Sequence, residues 1–364
     1  MNHQEDYESG EDCDVQYYED YENVDVHKLM LKDKPRMNFY HGILSDPTVV
    51  KDKIVVDVGS GSGILACWAA LHGAAHVFSI ENSSTALWQK SVFEENGVAS
   101  KVTIINDSVE NICARGCAWF ADNYKFIAPL GGISLIVSEW MGFYLLHEGM
   151  LFSVLRARDF FRELNATLTS HPPRIEMVPS KASIVIAPMH MAAFKEAYLQ
   201  EHWGSFHGVR LSTVGQVDFA KYDESAFFIE VLPEAAVLGT GTTFCEFDLA
   251  TMCAESAHLV RHEINMDLSS SAAFQYLTRT APGVAVDGFT IWFDVHFRNY
   301  RLSTSPFEEA THWKQFTMLL PADIREQEMV YVTKEEPSLN AVLHFGVLMP
   351  RTSELTRWTW TVGQ

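Results

Sequence analysis

Ile54-Val55-Val56-Asp57-Val58-Gly59-Ser60-Gly61-Ser62-Gly63 is the stretch of the sequence that decides the fold. Its first half is an apolar, β-branched run, which predicts a buried strand that passes directly into alternating glycines. The apolar segment that follows, residues 64–70, predicts a helix. A strand, a glycine turn and a helix together form the cradle in which Rossmann-like folds hold a nucleotide. The sequence therefore predicts an α/β fold with a nucleotide site at the glycine turn.

Two details of this turn indicate which nucleotide it holds. The dinucleotide fingerprint G-x-G-x-x-G ends in glycine, but its sixth position here is Ile64. Asp57, directly before the glycines, would repel a diphosphate and suits a ligand that carries a positive centre instead. S-adenosylmethionine has such a centre, and Glu81, at the end of the next apolar run, can accept both hydroxyls of its ribose. A glycine turn that binds no ligand is the remaining alternative.

A second informative stretch is Ser138-Glu139-Trp140-Met141-Gly142-Phe143-Tyr144-Leu145-Leu146-His147-Glu148, which follows an apolar run at 133–137. The run predicts a parallel strand, so Glu139 would emerge at the edge where α/β sheets bind ligands. Two carboxylates about 5 Å apart would repel by roughly 3 kcal/mol at an effective dielectric of 20. A planar, always charged guanidinium is suited to lie between them. The alternative is a helix start with one solvated and one structural glutamate.

The composition limits the classes of function. The chain has 364 residues, 47% apolar and 20% charged, and a net charge of −20. This charge disfavours direct binding of nucleic acid and favours basic polypeptide partners. The sequence has no run of 18 apolar residues, so we expect no membrane span. Residues 1–6 lack the pattern of a signal peptide. The six scattered cysteines predict reduced thiols and no metal site, so we expect a cytoplasmic or nuclear protein, or one found in both.

The chain divides into three predicted regions. Residues 1–16 are acidic, without lysine or arginine, and predict a disordered tail. Residues 17–180 predict two N-terminal helices and the Rossmann-like domain, in which 113–130 reads as a long connection and 150–164 as a helix. Residues 181–364 are strand-rich and predict a mostly antiparallel β-barrel or sandwich. A helical insertion at 191–203 within this last region predicts a protruding arm.

Four stretches together resemble one family, the protein arginine methyltransferases. They are Tyr17-Tyr18-x-x-Tyr21, the glycine turn at 56–63, the double-glutamate loop at 138–150 and Thr311-His312-Trp313. Their order and spacing match those of the family, and the details resemble its type I branch. The resemblance implies a Rossmann-like methyltransferase domain followed by a β-barrel domain with a dimerisation arm at about 191–215. It also implies methylation of arginine-rich proteins, such as histone tails and Arg-Gly-rich proteins, to mono- and asymmetric dimethylarginine.

The resemblance further implies roles for individual residues. For the S-adenosylmethionine site it implies His27, Arg36, Asp57, Gly59, Gly61, Glu81 and Glu110. For catalysis it implies Glu139, Glu148, His312, Tyr21, Met30 and Asp33, with His312 paired to Asp33. For the substrate it implies Glu139, Glu148, Tyr21 and Trp313, with Met150 shaping the pocket, and no metal. A homodimer is expected from the arm.

Two other functions are compatible with parts of the sequence. A cofactor-binding but inactive partner of another arginine methyltransferase should have lost Glu139, Glu148 or the glycine turn, and this chain keeps all three. A small-molecule methyltransferase would leave the paired glutamates and the late histidine unexplained. Arginine methylation is therefore the function that the sequence favours.

Overall fold

The computed structural model describes residues 23–253, 259–327, 330–346 and 357–363, and all structural statements below concern these residues. The helices are α1 (Val24–Lys32), α2 (Lys34–Leu44), α3 (Pro47–Val50), α4 (Ile64–Leu71), α5 (Ala86–Glu95), α6 (Val109–Asn123), α7 (Met150–Leu168), α8 (Met191–Trp203), α9 (Ser212–Asp223), α10 (Ala272–Leu277) and α11 (Ala322–Glu326). The strands are β1 (Ile54–Val58), β2 (His76–Ile80), β3 (Val102–Ile105), β4 (Ile133–Val137), β5 (Glu176–Val178), β6 (Lys181–Met189), β7 (Phe227–Glu230), β8 (Thr242–Asp248), β9 (Leu259–Asp267), β10 (Gly283–Ala285), β11 (Gly288–Phe297), β12 (Tyr300–Ser303), β13 (Gln315–Leu319), β14 (Tyr331–Thr333), β15 (Ser338–Gly346) and β16 (Arg357–Gly363). Two short 3-10 helices span Ala99–Lys101 and Glu234–Ala236.

The first sheet is parallel and has the strand order β3-β2-β1-β4-β5. All five residues of β1 are buried, as expected for a central strand that helices cover on both faces. The strand order reverses between β1 and β4, and ligands of open α/β sheets bind at such a reversal, beyond the carboxyl ends of the strands. The glycine turn after β1 and the double-glutamate loop after β4 therefore face the same crevice.

From β6 onward the strand pairs are antiparallel. One sheet has the order β7-β13-β11-β6-β8, with β12 paired to β11, a second has the order β16-β15-β9, and β10 pairs with β14. This architecture confirms the predicted fold class, a Rossmann-like α/β domain followed by a mostly antiparallel domain. The boundary at 180/181 stays a prediction, and the predicted acidic tail at 1–16 lies outside the described residues.

The predicted connection at 113–130 is wrong, because most of it belongs to helix α6. Gly116, with φ of 83°, interrupts the helical backbone, and this break hides the 3.6-residue periodicity from sequence analysis. The helix predicted at 150–164 continues to Leu168. Strands β9 and β12 and the second helix of the insertion, α9, were not predicted.

The helical insertion is a pair of helices with one buried end. Phe194 and Phe219 pack ring against ring there, and Phe194 stacks on Phe228 of the antiparallel sheet. Phe206, in the connection between the two helices, and Val217, on α9, are 48% and 74% exposed. Throughout the described chain no helix combines the length and the apolar character needed to cross a bilayer.

Candidate active site

The crevice at the carboxyl ends of the parallel strands forms a cavity of about 1000 Å³ including its open mouth. Helices α1, α2 and α7 and the loops after β1, β2, β3 and β4 contribute to its wall. The predicted site residues that line it are His27, Met30, Arg36, Gly59, Gly61, Glu81, Glu110, Glu139 and Met150. Nine positions from distant parts of the sequence thus share one cavity.

The glycine turn forms the floor of this cavity. Gly61 has φ of 50°, in the left-handed region that glycine tolerates best. A Cβ atom at this position would also lie 3.2 Å from Cε1 of His27, closer than most carbon contacts. Helix α1 therefore approaches the turn closely because residue 61 has no side chain.

Asp57 does not line the cavity, and its contact with the cofactor stays a prediction. The side chain is fully buried beneath the turn, and its Oδ2 accepts a hydrogen bond from the Ala66 amide at 2.9 Å. Burial raises the pKa of the Asp57 carboxyl to about 8, and no donor among the described residues reaches Oδ1. Folding therefore takes up a proton between pH 3.8 and about 8, and this group lowers stability as the pH rises through that range.

Two further carboxylates, those of Glu81 and Glu110, line the cavity. Glu81 accepts the amide hydrogens of Gly61 at 2.7 Å and of Ser83 at 2.8 Å. Glu110 accepts a hydrogen bond from Ser153 Oγ at 2.7 Å. Both carboxylates are thus held in place, which suits groups that select a ligand through its hydroxyl or amino donors.

Ser153 also lines the cavity, and sequence analysis missed it. It lies three residues after Met150 on helix α7, so both side chains project from one helix face. That spacing was the available signal. The serine alone carries no chemical signature, because serine on a helix is common.

Arg36 and Glu139, which both line the cavity, form a buried ion pair. Arg36 Nε and Nη2 lie 3.0 and 2.8 Å from Glu139 Oε2, and the two side chains are 7% and 10% exposed. Glu139 Oε1 accepts the Met141 amide at 3.3 Å. The carboxylate of Glu139 is therefore already positioned to bind a guanidinium.

The double-glutamate loop has an unusual backbone conformation. Tyr144, Leu145 and Glu148 all have positive φ, at 40°, 75° and 78°, although none is a glycine. Gly142 and Leu145 bond each other's backbone, and a Cβ atom on Gly142 would lie 2.4 Å from the His147 carbonyl oxygen. The left-handed backbone costs roughly 1–2 kcal/mol per residue, so surrounding contacts must hold the loop in this shape.

Trp313 supplies one of those contacts, and its role in substrate binding stays a prediction. The side chain is 4% exposed, packs on Phe293, and donates Nε1–H to the Met141 carbonyl at 2.8 Å. A second contact comes from Tyr40, whose hydroxyl donates to the Ser138 carbonyl at 3.0 Å. Burial, followed by the negative charge of Glu139, raises the pKa of Tyr40, so this phenol keeps its proton.

The predicted pair of Asp33 and His312 is present in the structure. Asp33 Oδ2 lies 2.6 Å from His312 Nδ1 and accepts the His312 amide at 2.8 Å. Burial alone would raise the pKa of Asp33, but the hydrogen bonds from His312 and from the Arg36 amide outweigh it and lower that pKa. The ionised carboxylate therefore adds stability above its unfolded pKa, and this contribution is lost as the pH falls through the folded value. A proton-transfer role of the pair stays a prediction.

The described part of the structure does not place two of the predicted catalytic residues at the cavity. Tyr21 lies outside the described residues. Glu148 is half-buried in the loop and does not belong to the cavity wall, although Met150, two residues later, does. Its contact with a substrate guanidinium stays a prediction.

Comparison with known proteins shows which proteins this chain resembles. Residues 180–339 match the family model described as "Arginine methyltransferase oligomerization subdomain", and residues 44–116 match "Ribosomal protein L11 methyltransferase (PrmA)". Protein arginine N-methyltransferase 1 of Chlamydomonas reinhardtii is 30% identical over 84% of this chain and 77% of its own. Protein arginine N-methyltransferase 6 of Danio rerio is 30% identical over 84% of this chain and 79% of its own.

The solved structures show the same relationship. The "Crystal structure of PRMT6-SAH" superposes with a TM-score of 0.87 and 39% identity, and covers 94% of this chain and 100% of that one. Since two relatives reach 30% identity over most of both chains, and a solved structure shares the fold, the chain belongs to the protein arginine N-methyltransferase family.

Proposed function

We propose that this protein transfers methyl groups from S-adenosylmethionine to arginine side chains of basic proteins and makes asymmetric dimethylarginine, the type I product. The observation that carries the proposal is a single cavity whose wall contains Glu139, the glycine turn and Glu81. One end of that cavity suits a nucleoside, and the other holds a carboxylate that already binds a guanidinium. The related structure named above is a complex with S-adenosylhomocysteine, the product that such a transfer leaves.

The residues explain how a guanidinium could attack without first losing its proton. Full deprotonation of arginine at pH 7 would cost roughly 8 kcal/mol, since each pKa unit costs 1.36 kcal/mol. Glu139 and Glu148 would instead hold the cation and draw its positive charge toward one side, which leaves the opposite nitrogen richer in electrons. That nitrogen would then attack the methyl carbon in line as the bond from sulfur to this carbon breaks, which leaves S-adenosylhomocysteine. The methylated nitrogen would lose its proton to Glu148 or to the His312–Asp33 pair.

Two methionines support the type I assignment. Met30 and Met150 both line the cavity, from helices α1 and α7. Methionine is unbranched and flexible, so a nitrogen that already carries one methyl can return to the attacking position. A stiff, bulky side chain at either position would narrow that space.

The product is the first test. We expect an Arg-Gly-rich peptide, incubated with labelled S-adenosylmethionine, to accumulate asymmetric dimethylarginine with monomethylarginine as its intermediate. Met30→Phe should shift the output toward monomethylarginine at a lower rate. Chromatography of the acid hydrolysate separates the products. Calorimetry with S-adenosylhomocysteine and with NAD measures which of the two ligands the protein binds. Symmetric dimethylarginine from the wild type contradicts the type I assignment. Cofactor binding without turnover favours an inactive regulatory partner.

The exposed end of the helical insertion supports a homodimer. Phe206, Val209, Val214 and Val217 are 47–74% exposed on α9 and on the loop before it. Apolar side chains in such a group mark an interaction surface, and the matching family model is described as an oligomerization subdomain. We propose that this surface packs on a second copy of the chain.

Changing this surface tests the dimer. Val217→Asp places a charge on the most exposed of these positions and should convert the protein to monomers with reduced activity, because burying an unpaired carboxylate at an interface is costly. Tyr276→Asp, at a position 68% exposed on α10, is the matched control and should leave a dimer. Sedimentation at micromolar concentration distinguishes the two. A wild-type protein that sediments as a fully active monomer contradicts the proposal.

A further inference from the structure

Gln89, on helix α5, is a buried amide that bonds to the floor of the cavity. Its side chain is fully buried, and its Nε2 donates to the Gly61 carbonyl and to Ser60 Oγ, both at 2.8 Å. Its Oε1 accepts a hydrogen bond from Ser79 Oγ, also at 2.8 Å. Both donors and the acceptor of the amide are therefore used, which is the condition under which a polar group is retained in a core.

The effect of these bonds is to hold Gly61 from two sides. Gln89 binds the carbonyl of Gly61, and Glu81 binds its amide at 2.7 Å, so the peptide planes before and after this residue are both fixed. Glycine has more backbone freedom than any other residue, and Gly61 sits at φ of 50°. Without Gln89 one of the two planes would be free to rotate.

Rotation of the peptide plane after Gly61 would change the surface of the cavity that faces the ligand. Gly61 lines the cavity, and its amide is one of the two donors that orient the Glu81 carboxylate. Glu81 is the group expected to accept the ribose hydroxyls. A path of direct contacts therefore runs from Gln89 through Gly61 to Glu81, although Gln89 itself does not line the cavity.

We propose that Gln89 is a positioning residue for the cofactor: it locks the glycine turn so that Glu81 and the turn amides face the nucleoside. This inference rests on the proposed binding of S-adenosylmethionine. According to this proposal, a residue of α5 affects the affinity for the cofactor. Neither the glycine motif nor the acidic residues of the site indicate such a role for this helix.

The test compares Gln89→Glu with the wild type by calorimetry with S-adenosylhomocysteine at pH 6 and pH 9. At pH 9 an ionised carboxylate faces the Gly61 carbonyl with no hydrogen to donate, and we expect the dissociation constant to rise about 30-fold, in the range typical of a lost buried hydrogen bond. At pH 6 the protonated acid can donate one hydrogen bond, so affinity should return to within about threefold of wild type. The KM for the peptide should change little at either pH.

Asn165→Asp is the matched control. Asn165 is equally buried, lies in the same domain, and its amide bridges the Ile133 amide at 2.9 Å and carbonyl at 2.7 Å. It binds the amino end of β4, the end of the sheet opposite the cavity. This variant should lose stability but keep the wild-type dissociation constant within about twofold.

Ser79→Ala serves if Gln89→Glu does not fold, because it removes the hydroxyl that bonds Gln89 Oε1 at 2.8 Å and Ser60 Oγ of the glycine turn at 2.7 Å. We then expect a dissociation constant about fivefold above wild type with intact circular dichroism. A folded Gln89→Glu, or Ser79→Ala in its place, that binds like wild type at pH 9 overturns the proposal. Equal loss of affinity in Asn165→Asp also overturns it, whereas a wild type that does not bind S-adenosylhomocysteine rejects the proposed function instead.

Discussion

Replacing Glu148 by glutamine is expected to lower turnover by about 10²–10³-fold while the affinity for S-adenosylhomocysteine stays within about threefold of wild type. The substitution keeps the shape of the side chain and removes the charge that would polarise the substrate guanidinium. Glu148 does not belong to the wall of the cavity, so loss of its charge should leave the nucleoside contacts of Glu81 and Glu110 intact. Initial rates with an Arg-Gly-rich peptide and calorimetry with S-adenosylhomocysteine measure the two quantities.

Glu163→Gln is the control for this experiment. Glu163 is an exposed glutamate on helix α7, the helix that begins just after Glu148, and its substitution removes the same charge outside the site. We expect its turnover to stay within about twofold of wild type, as for most surface changes. If Glu148→Gln retains more than about a tenth of the wild-type rate, the catalytic role assigned to Glu148 is wrong.

Sequence analysis predicted the secondary structure correctly where the local preferences of neighbouring residues determine it. Residues 54–63 contain a β-branched run and then glycines, and both local preferences require the strand and turn that the structure has. The helix Met191–Trp203 and the strand Gly288–Phe297 were predicted to the residue because Pro, Gly and polar residues lie at or near their ends. The switch point of the sheet then places the two motif loops at one crevice, which is a consequence of topology rather than of any one residue.

Sequence analysis says less about a residue whose environment comes from distant parts of the chain. The family resemblance assigned Trp313 to the substrate, but the position of its indole depends on a carbonyl 172 positions away, to which it donates a hydrogen bond. The position of Asp57 before the glycines suggests a residue that contacts the ligand. The orientation of its side chain, however, is set by the amino end of helix α4, where the Ala66 amide donates a hydrogen bond to its Oδ2. Gln89 gave no sequence signal, because its three partners lie 10 to 29 residues away.

The ion pair of Arg36 and Glu139 underlies the second large effect that we expect. Both side chains are almost fully buried, so each charge depends on the other for its solvation. Arg36→Ala should lower the free energy of unfolding by about 3–5 kcal/mol, because it leaves the Glu139 carboxylate buried without a cationic partner. It should also weaken binding of S-adenosylhomocysteine, since Arg36 lines the cavity where the amino acid part of the cofactor is expected. Urea titration and calorimetry measure the two losses.

A control and a double variant separate stability from function in this pair. Lys53→Ala breaks an ion pair with Glu176 whose side chains are 23% and 30% exposed, and should cost only about 0–1 kcal/mol. Arg36→Met combined with Glu139→Leu replaces both charges by apolar groups of similar size, and should restore stability to within about 1 kcal/mol of wild type. The double variant should nevertheless stay inactive, because it has no carboxylate at position 139 to hold the substrate. An unfolding free energy for Arg36→Ala within about 1 kcal/mol of wild type would show that water or another group compensates Glu139, and that the pair is less buried in solution than in this structure.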